Sequence, residues 1–504
     1  MNHNKDGDTM NRRSIPFRAT LACAAAVIGM LGTQGQAQAQ TKAYAGVTLN
    51  VMTFTGPQIA EPLQRRGKEF EAATGAKVNV ITVPYSDLYQ KLLTDWSTGT
   101  NSIDAAILAP QWMPDYVGFL EDLSPRVKAD TKLREDDVAP FFREFSQKYG
   151  GKTYTVTLDG DFHIAYYRSD VLAKLGKKPP QTWDEYLDIA KAAHGKDFGD
   201  GKPVVGSCIA KKRNAQSFWM ITSVAGAFLQ AKGTSEGAFF DPATMKPLVN
   251  NEAFARALEI YKETGKYGPP NEINMDVGDT RTLFVSGGCA LTVDWGDIGP
   301  LAVDPKASKV VDKVGALMLP ETTKVLDRAS GKLVACDATR CPHAVNGVNR
   351  APFAAFGGWS GAINAKAKPQ AKDAAYALFS YMSQPEQSNA DVTVGATGFN
   401  PYRQSQFKDM GPWKKAGMSD KAAKDYLGAI QDSLNSPNMV LDLRIPFNQR
   451  YQQVALDTAM ARFLAGELDV KGTMKNIEDT WNELNDELGK AKQQAAYKAS
   501  IGAR

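Results

Sequence analysis

The chain has 504 residues, of which 43% are hydrophobic and 23% charged, with 59 Lys and Arg against 55 Asp and Glu. These fractions are ordinary for a globular protein and exclude collagen-like, coiled-coil and disordered classes. A formal charge of +4, with no clustered basic segment, excludes a nucleic-acid partner. The length predicts two or more domains, because one domain typically spans about 100–200 residues.

Residues 1–39 have the pattern of a secretory signal peptide. Three arginines precede an apolar stretch at residues 19–31, which is too short to cross a bilayer. Ala37-Gln38-Ala39 then has the small-x-small pattern that precedes cleavage. No later segment approaches 18 consecutive apolar residues. We therefore predict a periplasmic protein without a membrane span.

Four cysteines remain after residue 39, and their even number in an exported protein predicts disulfides. They are Cys208, Cys289, Cys336 and Cys341. Four cysteines allow three pairings, although Cys336 and Cys341 are close enough in a polar loop for a local bridge. A zinc site with His343 is the less favoured alternative, because no second cluster supplies a fourth ligand. We expect no metal.

Strands and helices alternate in the first part of the chain. Strands are predicted at residues 47–54, 78–83 and 103–108, and helices at 59–73 and 86–96, the second capped by Ser86. This order indicates an α/β fold with a parallel sheet. Ligands of such sheets bind beyond the carboxyl ends of the strands. The predicted rim is therefore Thr55-Gly56, Tyr85 and Ala109-Pro110-Gln111-Trp112.

A second α/β unit begins around Asp159. Thr182 and Glu185 form a predicted capping box at the start of a helix. Helices are expected at about 183–194, 214–231, 252–264 and 279–286, and strands near 162–168, 203–209, 289–293 and 314–319. Residues 320–356 show little periodicity and are interpreted as a long loop, whereas 370–495 are mostly helical.

No set of catalytic residues is recognisable, so we expect no enzyme and no cofactor. Three histidines follow residue 39, and Gly358-Trp359-Ser360-Gly361-Ala362 lacks the final glycine of a nucleophile elbow. Phosphate loops and dinucleotide fingerprints are absent from the sequence. The carboxylate pairs Asp159/Asp161 and Asp294/Asp297 leave a secreted glycoside-acting enzyme as an alternative.

Three tryptophans stand beside Gly, Pro, Asp or Gln rather than inside apolar runs: Trp112, Trp295 and Trp359. A flat aromatic face packs against the C–H face of a sugar, while polar side chains bind its hydroxyls, as in an apolar pocket with a few placed polar groups. Trp96 and Trp183 lie in amphipathic helices and are interpreted as core residues. The first three predict a binding pocket.

Several segments in a shared order resemble the extracellular solute-binding proteins of ABC importers, in the carbohydrate-type group that includes maltose-binding protein. The segments are 103–106 with 119–123, 164–172 with 177–186, 283–291 with 294–295, and 357–364 with 374–387. The resemblance covers most of residues 47–490. It implies an α/β fold of two lobes, each with a central, mostly parallel sheet flanked by helices, and a hinge beside an interlobe cleft.

The resemblance implies one lobe of residues 44–157 and 359–405 and a second of residues 158–358 and 406–504. It also carries the family's cleft positions onto individual residues of this chain. The implied ligand-binding residues are Phe54, Thr55, Trp112, Asp161, Trp295, Asp297, Trp359, Arg403 and Tyr451. Residues 320–356 are longer than the family's usual link, and they either rim the cleft or decorate the lobe.

The implied function is capture of a small carbohydrate or polyol by hinge closure, without catalysis. The implied partners are the solute and the permease subunits of an ABC importer, with the binding protein itself a monomer. Because Arg403 and Arg444 are suited to a phosphate or carboxylate, a phosphorylated or anionic polyol is an alternative ligand. An extracellular structural or adhesion protein is a rival class.

Overall fold

A computed structural model of the protein describes residues 42–503, so the predicted signal peptide lies outside the described residues. The strands are β1 (Thr48–Phe54), β2 (Lys77–Val83), β3 (Ala105–Leu108), β4 (Lys148–Tyr149), β5 (Lys152–Thr153), β6 (Thr155–Thr157), β7 (Ile164–Arg168), β8 (Val205–Cys208), β9 (Cys289–Asp294), β10 (Val314–Leu317), β11 (Lys324–Asp327), β12 (Lys332–Ala335), β13 (Phe353–Ala354), β14 (Ser360–Ile363) and β15 (Val440–Leu441).

The α-helices are α1 (Pro57–Thr74), α2 (Tyr85–Ser97), α3 (Met113–Tyr116), α4 (Ser124–Ala129), α5 (Ser169–Leu175), α6 (Trp183–Ala193), α7 (Ser217–Leu229), α8 (Glu252–Thr264), α9 (Val277–Val285), α10 (Ile298–Val303), α11 (Pro369–Ser383), α12 (Pro385–Asp391), α13 (Gln404–Lys408), α14 (Gly411–Lys415), α15 (Asp420–Leu434), α16 (Asp457–Leu464), α17 (Val470–Leu488) and α18 (Lys490–Ile501). The predicted α/β class is confirmed.

The first sheet has the strand order β2-β1-β3-β14-β6. The three N-terminal strands run parallel, as their order in the sequence predicts, whereas β14 is antiparallel to both of its neighbours. All four residues of β3 are buried, because helices cover both faces of a sheet built from parallel crossovers. Helices α1, α2 and α11 pack on this sheet.

The second sheet has the strand order β10-β7-β9-β8. Strands β8 and β9 are parallel, while β7 pairs antiparallel with β9 and β10. Helices α5, α6, α9 and α15 pack on it, and α7, α8, α16 and α17 form a further helical layer. The chain passes from the first sheet to the second through residues 158–163 and returns through residues 355–359.

Local signals in the sequence account for most helix boundaries. The capping box predicted at α6 is present, since the Thr182 hydroxyl accepts the N–H of Glu185 and the Glu185 carboxylate accepts the N–H of Thr182. The cap predicted at Ser86 is wrong. Helix α2 begins one residue earlier, after an extended Pro84, so Ser86 lies inside the first turn and contacts Asp87 instead.

Residues 320–356 are more ordered than their sequence indicated. Strands β11 and β12 form an antiparallel hairpin that packs against α7 and α8. The cysteines pair as Cys336–Cys341 within this region and as Cys208–Cys289 in the second sheet. The first bridge engages both thiols that the alternative zinc site required. Among the helices of residues 42–503, none has the length and apolar character needed to span a bilayer.

Candidate solute-binding site

Three parallel strands of the first sheet end at one edge and supply one wall of a cavity. Phe54 ends β1 and Thr55 follows it, while Tyr85 comes after β2 at the start of α2. Trp359 precedes β14, whose first residue pairs with the last residue of β3. Because the carboxyl ends of parallel strands meet at the same edge, residues far apart in sequence become neighbours. We call Phe54, Thr55, Tyr85 and Trp359 the first wall.

The second sheet supplies the opposite wall in the same way. Trp295 and Asp297 follow the end of β9, and Gln216 and Trp219 lie at the start of α7 after the loop that follows β8. Arg281 projects from α9, which packs on the same strand. We call these five residues the second wall. Asp161 lies in the segment that joins the two sheets, just before β7.

Between the walls is a cavity of about 460 Å³, within the size range of small-molecule sites. Six of the nine predicted ligand-binding residues line it: Phe54, Thr55, Asp161, Trp295, Asp297 and Trp359. Its wall also includes Gln58, Tyr85, Lys212, Asn214, Gln216, Trp219, Asp276, Arg281 and Phe356. Of residues 320–356, only Phe356 lines this cavity, while the hairpin of β11 and β12 packs on α7 and α8 and supplies no part of the wall.

Six aromatic residues of the cavity wall pack against one another in a closed circuit, which we call the aromatic circuit. Successive ring centroids are 5.3 Å apart for Trp219–Trp295, 5.2 Å for Trp295–Phe356, 5.3 Å for Phe356–Trp359 and 4.8 Å for Phe54–Trp359. Tyr85 closes the circuit at 6.1 Å from both Phe54 and Trp219. These separations are those of interacting aromatic pairs, so each ring is held in place by its neighbours.

A hydrogen-bonded network of charged side chains lies beside the aromatic circuit. The Asn400 amide nitrogen donates to Asp161 at 2.7 Å and to Asp297 at 2.9 Å. Arg281 contacts Asp294 at 2.6 Å and Asp297 at 2.5 Å. Asp161, Asp297 and Arg281 are all less than 10% exposed. Buried polar groups that are fixed by one another present their remaining lone pairs and hydrogens in defined directions.

Asp159 forms hydrogen bonds with two segments near the crossings between the sheets. Its carboxylate accepts the N–H of Asn400 at 2.6 Å and the N–H of Trp359 at 3.3 Å. Gly358 packs so closely that a Cβ there would lie 2.0 Å from the Asp159 carbonyl oxygen, and its φ of 86° is in the left-handed region. Only glycine satisfies both constraints. The Gly-Gly-Trp turn therefore places Trp359 through backbone geometry.

The pKa values of the carboxyl groups in this network are raised. Burial raises the pKa of Asp159 and Asp161 above the usual range, and for Asp161 the neighbouring carboxylates of Asp159 and Asp297 raise the pKa further. Burial also raises the pKa of Asp294 to about 6 against the opposing effect of Arg281. Asp159 and Asp161 therefore titrate as a pair that retains a proton at pH values where isolated aspartates are ionised.

The polar side-chain atoms of the two walls differ in whether they have hydrogen-bond partners within the protein. On the second wall, the Trp295 indole N–H donates to Gln216 at 2.6 Å and that of Trp219 donates to Asp442 at 2.7 Å. On the first wall, the buried hydroxyl of Tyr85 has no partner among residues 42–503. The same holds for Nε of Arg281 on the second wall. Both atoms are therefore buried hydrogen-bonding groups without a partner in the described part of the chain, on residues that line the cavity.

The structure places three predicted ligand-binding residues away from the cavity wall. Trp112 is fully buried behind the first wall, with its ring 6.3 Å from those of Tyr85 and Trp359. Arg403 is also fully buried, and its guanidinium donates to the carbonyls of Leu133, Arg134 and Ser383.

Tyr451 has a similar structural environment. Its hydroxyl donates to Asn485 at 3.0 Å, and its ring packs on Phe240 and Trp481. Arg444, which the anionic-ligand alternative also needs, donates to the Lys148 carbonyl and lies over the rings of Phe145 and Tyr149. None of these residues lines the cavity.

The remaining wall residues were not singled out as ligands by the sequence. Tyr85 was expected at the rim, and the position of a strand end was sufficient to find it. Trp219 and Arg281 lie inside predicted helices, where an aromatic or basic residue is ordinarily core or surface. Phe356 stands in a segment interpreted as loop, with a φ of 36°. Only the packing of helix against strand could show that these side chains face the cavity.

Two sheets joined by crossing segments, with an aromatic and polar cavity between them, define a solute-binding protein. The bacterial extracellular solute-binding protein family matches residues 56–389, and the chain belongs to this family. It is 23% identical over 410 residues to the probable amino-acid ABC transporter periplasmic-binding protein y4oP of Sinorhizobium fredii, covering 78% of this chain and 82% of that protein.

A second relative is the mannitol-binding protein of Pseudomonas aeruginosa, 28% identical over 295 residues, which cover 57% of this chain and 63% of that protein. Among solved structures, an ABC transporter solute-binding protein from Agrobacterium radiobacter in complex with ribitol is similar, with a TM-score of 0.72 and 23% identity. The match covers 88% of this chain and 100% of that chain. The fold is the two-lobed periplasmic-binding-protein fold, and the family expected from the sequence is confirmed.

Proposed function

We propose that the protein captures a small polyol or carbohydrate in the periplasm and delivers it to the permease of an ABC importer. The observation that carries this proposal is the cavity of about 460 Å³, with its aromatic circuit and its adjoining network of carboxylates, amide and guanidinium. Apolar faces combined with a few fixed polar groups are the general composition of a small-molecule site. Family membership supports capture rather than catalysis.

The chemistry of the two walls suits a molecule with apolar C–H faces and many hydroxyls. The rings of Trp295 and Trp359 bury C–H groups, while Asp161 and Asp297 accept hydrogen bonds from hydroxyls. The Tyr85 hydroxyl and Arg281 Nε donate to solute oxygens, because neither has an acceptor within the described chain. Hydrogen bonds to charged groups are stronger than neutral ones. A micromolar dissociation constant, about −8 kcal/mol, needs only a few such contacts.

Solute entry requires the two walls to separate. Tyr85 of the first wall and Trp219 of the second meet across the cavity, with centroids 6.1 Å apart. Rotation about residues 158–163 and 355–359, and about a third crossing between α12 and α15, would part them while leaving each sheet intact. Periplasmic binding proteins are themselves a known example of such hinge closure. In the closed form the solute contacts both walls at once, and its binding free energy therefore favours closure.

Two observations bear on the choice of solute. The mannitol-binding relative and the ribitol complex both concern acyclic polyols, which supports a polyol for this chain. The alternative of a phosphorylated or anionic polyol depended on Arg403 and Arg444, and both guanidinium groups donate to backbone carbonyls away from the cavity. A neutral or cationic solute is therefore favoured over an anionic one.

A thermal-shift and calorimetric screen of the mature protein tests the proposal. The panel contains polyols, monosaccharides, sugar phosphates and amino acids, the last because of the name of one relative. A solute at 100 times its dissociation constant stabilises the folded protein by roughly 2.7 kcal/mol, which gives a measurable rise in Tm. We expect at least one polyol or sugar to produce it, and no turnover of chromogenic glycosides.

Variants locate the binding at the cavity. Trp295→Ala and Trp359→Ala should each abolish the shift, because each removes a ring of the cavity wall. Both rings are buried, so near-UV circular dichroism checks that each variant is folded. Trp183→Phe is the matched control, since Trp183 is a buried residue of α6 that does not line the cavity. If no small solute stabilises the protein, the proposed function is wrong; unchanged affinity in both alanine variants would disprove the site.

A further inference from the structure

The charges around the cavity are not balanced. Lys212 pairs with Asp276 at 3.1 Å, and both are partly exposed at the cavity mouth. Arg281 is shared between Asp294 and Asp297. These contacts account for both basic residues on the cavity wall, because Lys212 and Arg281 are its only cations within residues 42–503.

Asp159 and Asp161 have no cation of their own. The hydrogen bonds to the Asp159 carboxylate come from the backbone N–H groups of Asn400 and Trp359, and Asp161 accepts the Asn400 amide. No Lys or Arg in the described part of the chain forms a salt bridge with either carboxylate. A buried carboxylate without a cationic partner is costly. The pair retains a proton for this reason, and a positive group brought by the solute would replace that proton.

The aromatic circuit independently favours a positive group. An aromatic ring has a negative face, which attracts cations placed within about 6 Å of its centroid. Six aromatic residues contribute to the wall of this cavity, so a cation bound in it lies beside several aromatic side chains. The aromatic rings and the carboxylates therefore both favour binding of a cation in the cavity, and both disfavour binding of an anion.

We propose that the solute of this protein is a small polyol or sugar that carries an amino group, bound as its ammonium ion against Asp161 and beside the aromatic circuit. The inference rests on the proposed function and names its substrate class. The ammonium group donates to Asp161 and faces the rings. The hydroxyls of the same molecule accept from Arg281 Nε and from the Tyr85 hydroxyl, which have no other acceptor among residues 42–503.

Matched pairs of probes test the proposal directly. Each pair differs only in the exchange of one hydroxyl for an ammonium group: D-glucitol and D-glucamine, D-glucose and D-glucosamine, D-galactose and D-galactosamine. D-Gluconate adds the corresponding anion. Dissociation constants are measured by calorimetry at pH 7 and low ionic strength. In at least one pair we expect the amino compound to bind about tenfold or more tightly than its neutral parent, and gluconate to bind more weakly than both.

Variants assign the preference to Asp161. Asp161→Asn preserves an acceptor for the Asn400 amide but removes the charge. Because Asp161 also accepts hydrogen bonds from hydroxyls, both compounds of a pair should bind more weakly, but the amino compound should lose more affinity and its advantage over the neutral parent should disappear. Asp87→Asn, an exposed carboxylate on α2 two residues from Tyr85 that does not line the cavity, removes the same net charge and should leave the preference unchanged. Near-UV circular dichroism checks that Asp161→Asn is folded.

The outcomes separate this inference from the function on which it rests. If a neutral polyol or sugar binds as tightly as, or more tightly than, its amino counterpart in every pair, the substrate class is wrong and the proposed function stands. If the preference exists but persists in Asp161→Asn, its assignment to this carboxylate is overturned. If neither these probes nor the wider solute panel bind, the proposed function and the inference fail together.

Discussion

The two walls of the cavity come from different sheets, and they hold their side chains in different ways. The second wall is braced: Trp295 and Trp219 donate their indole N–H groups to protein acceptors, and Arg281 is fixed by two carboxylates. The first wall has the free hydroxyl of Tyr85, which has no partner in the described chain, and rings held only by packing. From this contrast we expect the second wall to orient the solute.

The disulfide between Cys208 and Cys289 is a further covalent constraint on the second wall. Cys208 ends β8, whose loop leads to Gln216 and Trp219, and Cys289 begins β9, which leads to Trp295. The bridge therefore joins the two strands that present the second wall. The Cys336–Cys341 bridge lies in the additional region and closes a segment of sequence separation 5, against 81 for the first.

Removal of the long-range disulfide should have the largest effect. The double variant Cys208→Ala/Cys289→Ala should lower the free energy of unfolding by about 2–4 kcal/mol, since the bridge restricts the unfolded chain over a long loop. Urea unfolding of the oxidised proteins measures it. The double variant Cys336→Ala/Cys341→Ala is the control and should cost less. Equal losses would show that the second wall is not specially braced.

The pH dependence of stability should reveal the carboxylate pair between the walls. Because the pKa of Asp161 is raised, the folded protein binds more protons than the unfolded chain above about pH 4, and stability decreases as pH rises. Asp161→Asn removes this loss. The difference in free energy of unfolding, Asp161→Asn minus the unmodified protein, should therefore be larger at about pH 8 than at about pH 5, by about 1 kcal/mol or more.

Denaturant unfolding at the two pH values measures this difference. Asp87→Asn, on an exposed part of α2, is the reference variant, and its effect should be the same at both pH values. A relative stability of Asp161→Asn that does not change with pH would contradict the interpretation that Asp161 is held in a raised-pKa pair with Asp159.

The smallest expected effect is that of a variant in the first wall, Tyr85→Phe. Tyr85→Phe removes a hydroxyl without a partner in the described chain, so it should leave the free energy of unfolding unchanged or slightly higher. The same change should weaken solute binding by about 1 kcal/mol, several-fold in the dissociation constant, if the hydroxyl donates to the solute. Calorimetry and unfolding on one protein preparation give both values. A loss of stability without loss of affinity would assign Tyr85 to the fold alone.

The sequence predicted the elements and part of the site because both depend on short-range patterns. Alternation of strands and helices placed Thr55 and Tyr85 at a common edge. Turn residues beside Trp112, Trp295 and Trp359 indicated a pocket, and the last two of these tryptophans line the cavity. Arg403 was expected as a ligand from the family resemblance, and the structure places it away from the cavity wall. Its chemistry fits a ligand, but carbonyls contributed by residues 133, 134 and 383 surround it, and no local pattern encodes such a contact.

The pairing of the cysteines and the role of residues 320–356 could be assigned only from distances between segments in the tertiary structure. Sequence alone left three pairings and two roles open, because loop closure over long separations is decided by the packing of the whole chain. The structure pairs the cysteines and places the hairpin against α7 and α8, away from the cavity wall.

The sequence by itself determined the α/β class, the solute-binding family and the strand ends from which ligand groups project, since these follow from hydrophobic periodicity, capping residues and motif order. Tertiary structure alone decided which side chains share the cavity. It joined Asn400 to Asp161 and Asp297, it brought Arg281 against Asp297, and it closed the aromatic circuit. Charge balance in a buried site depends on such three-dimensional neighbours, which composition and spacing along the chain do not specify.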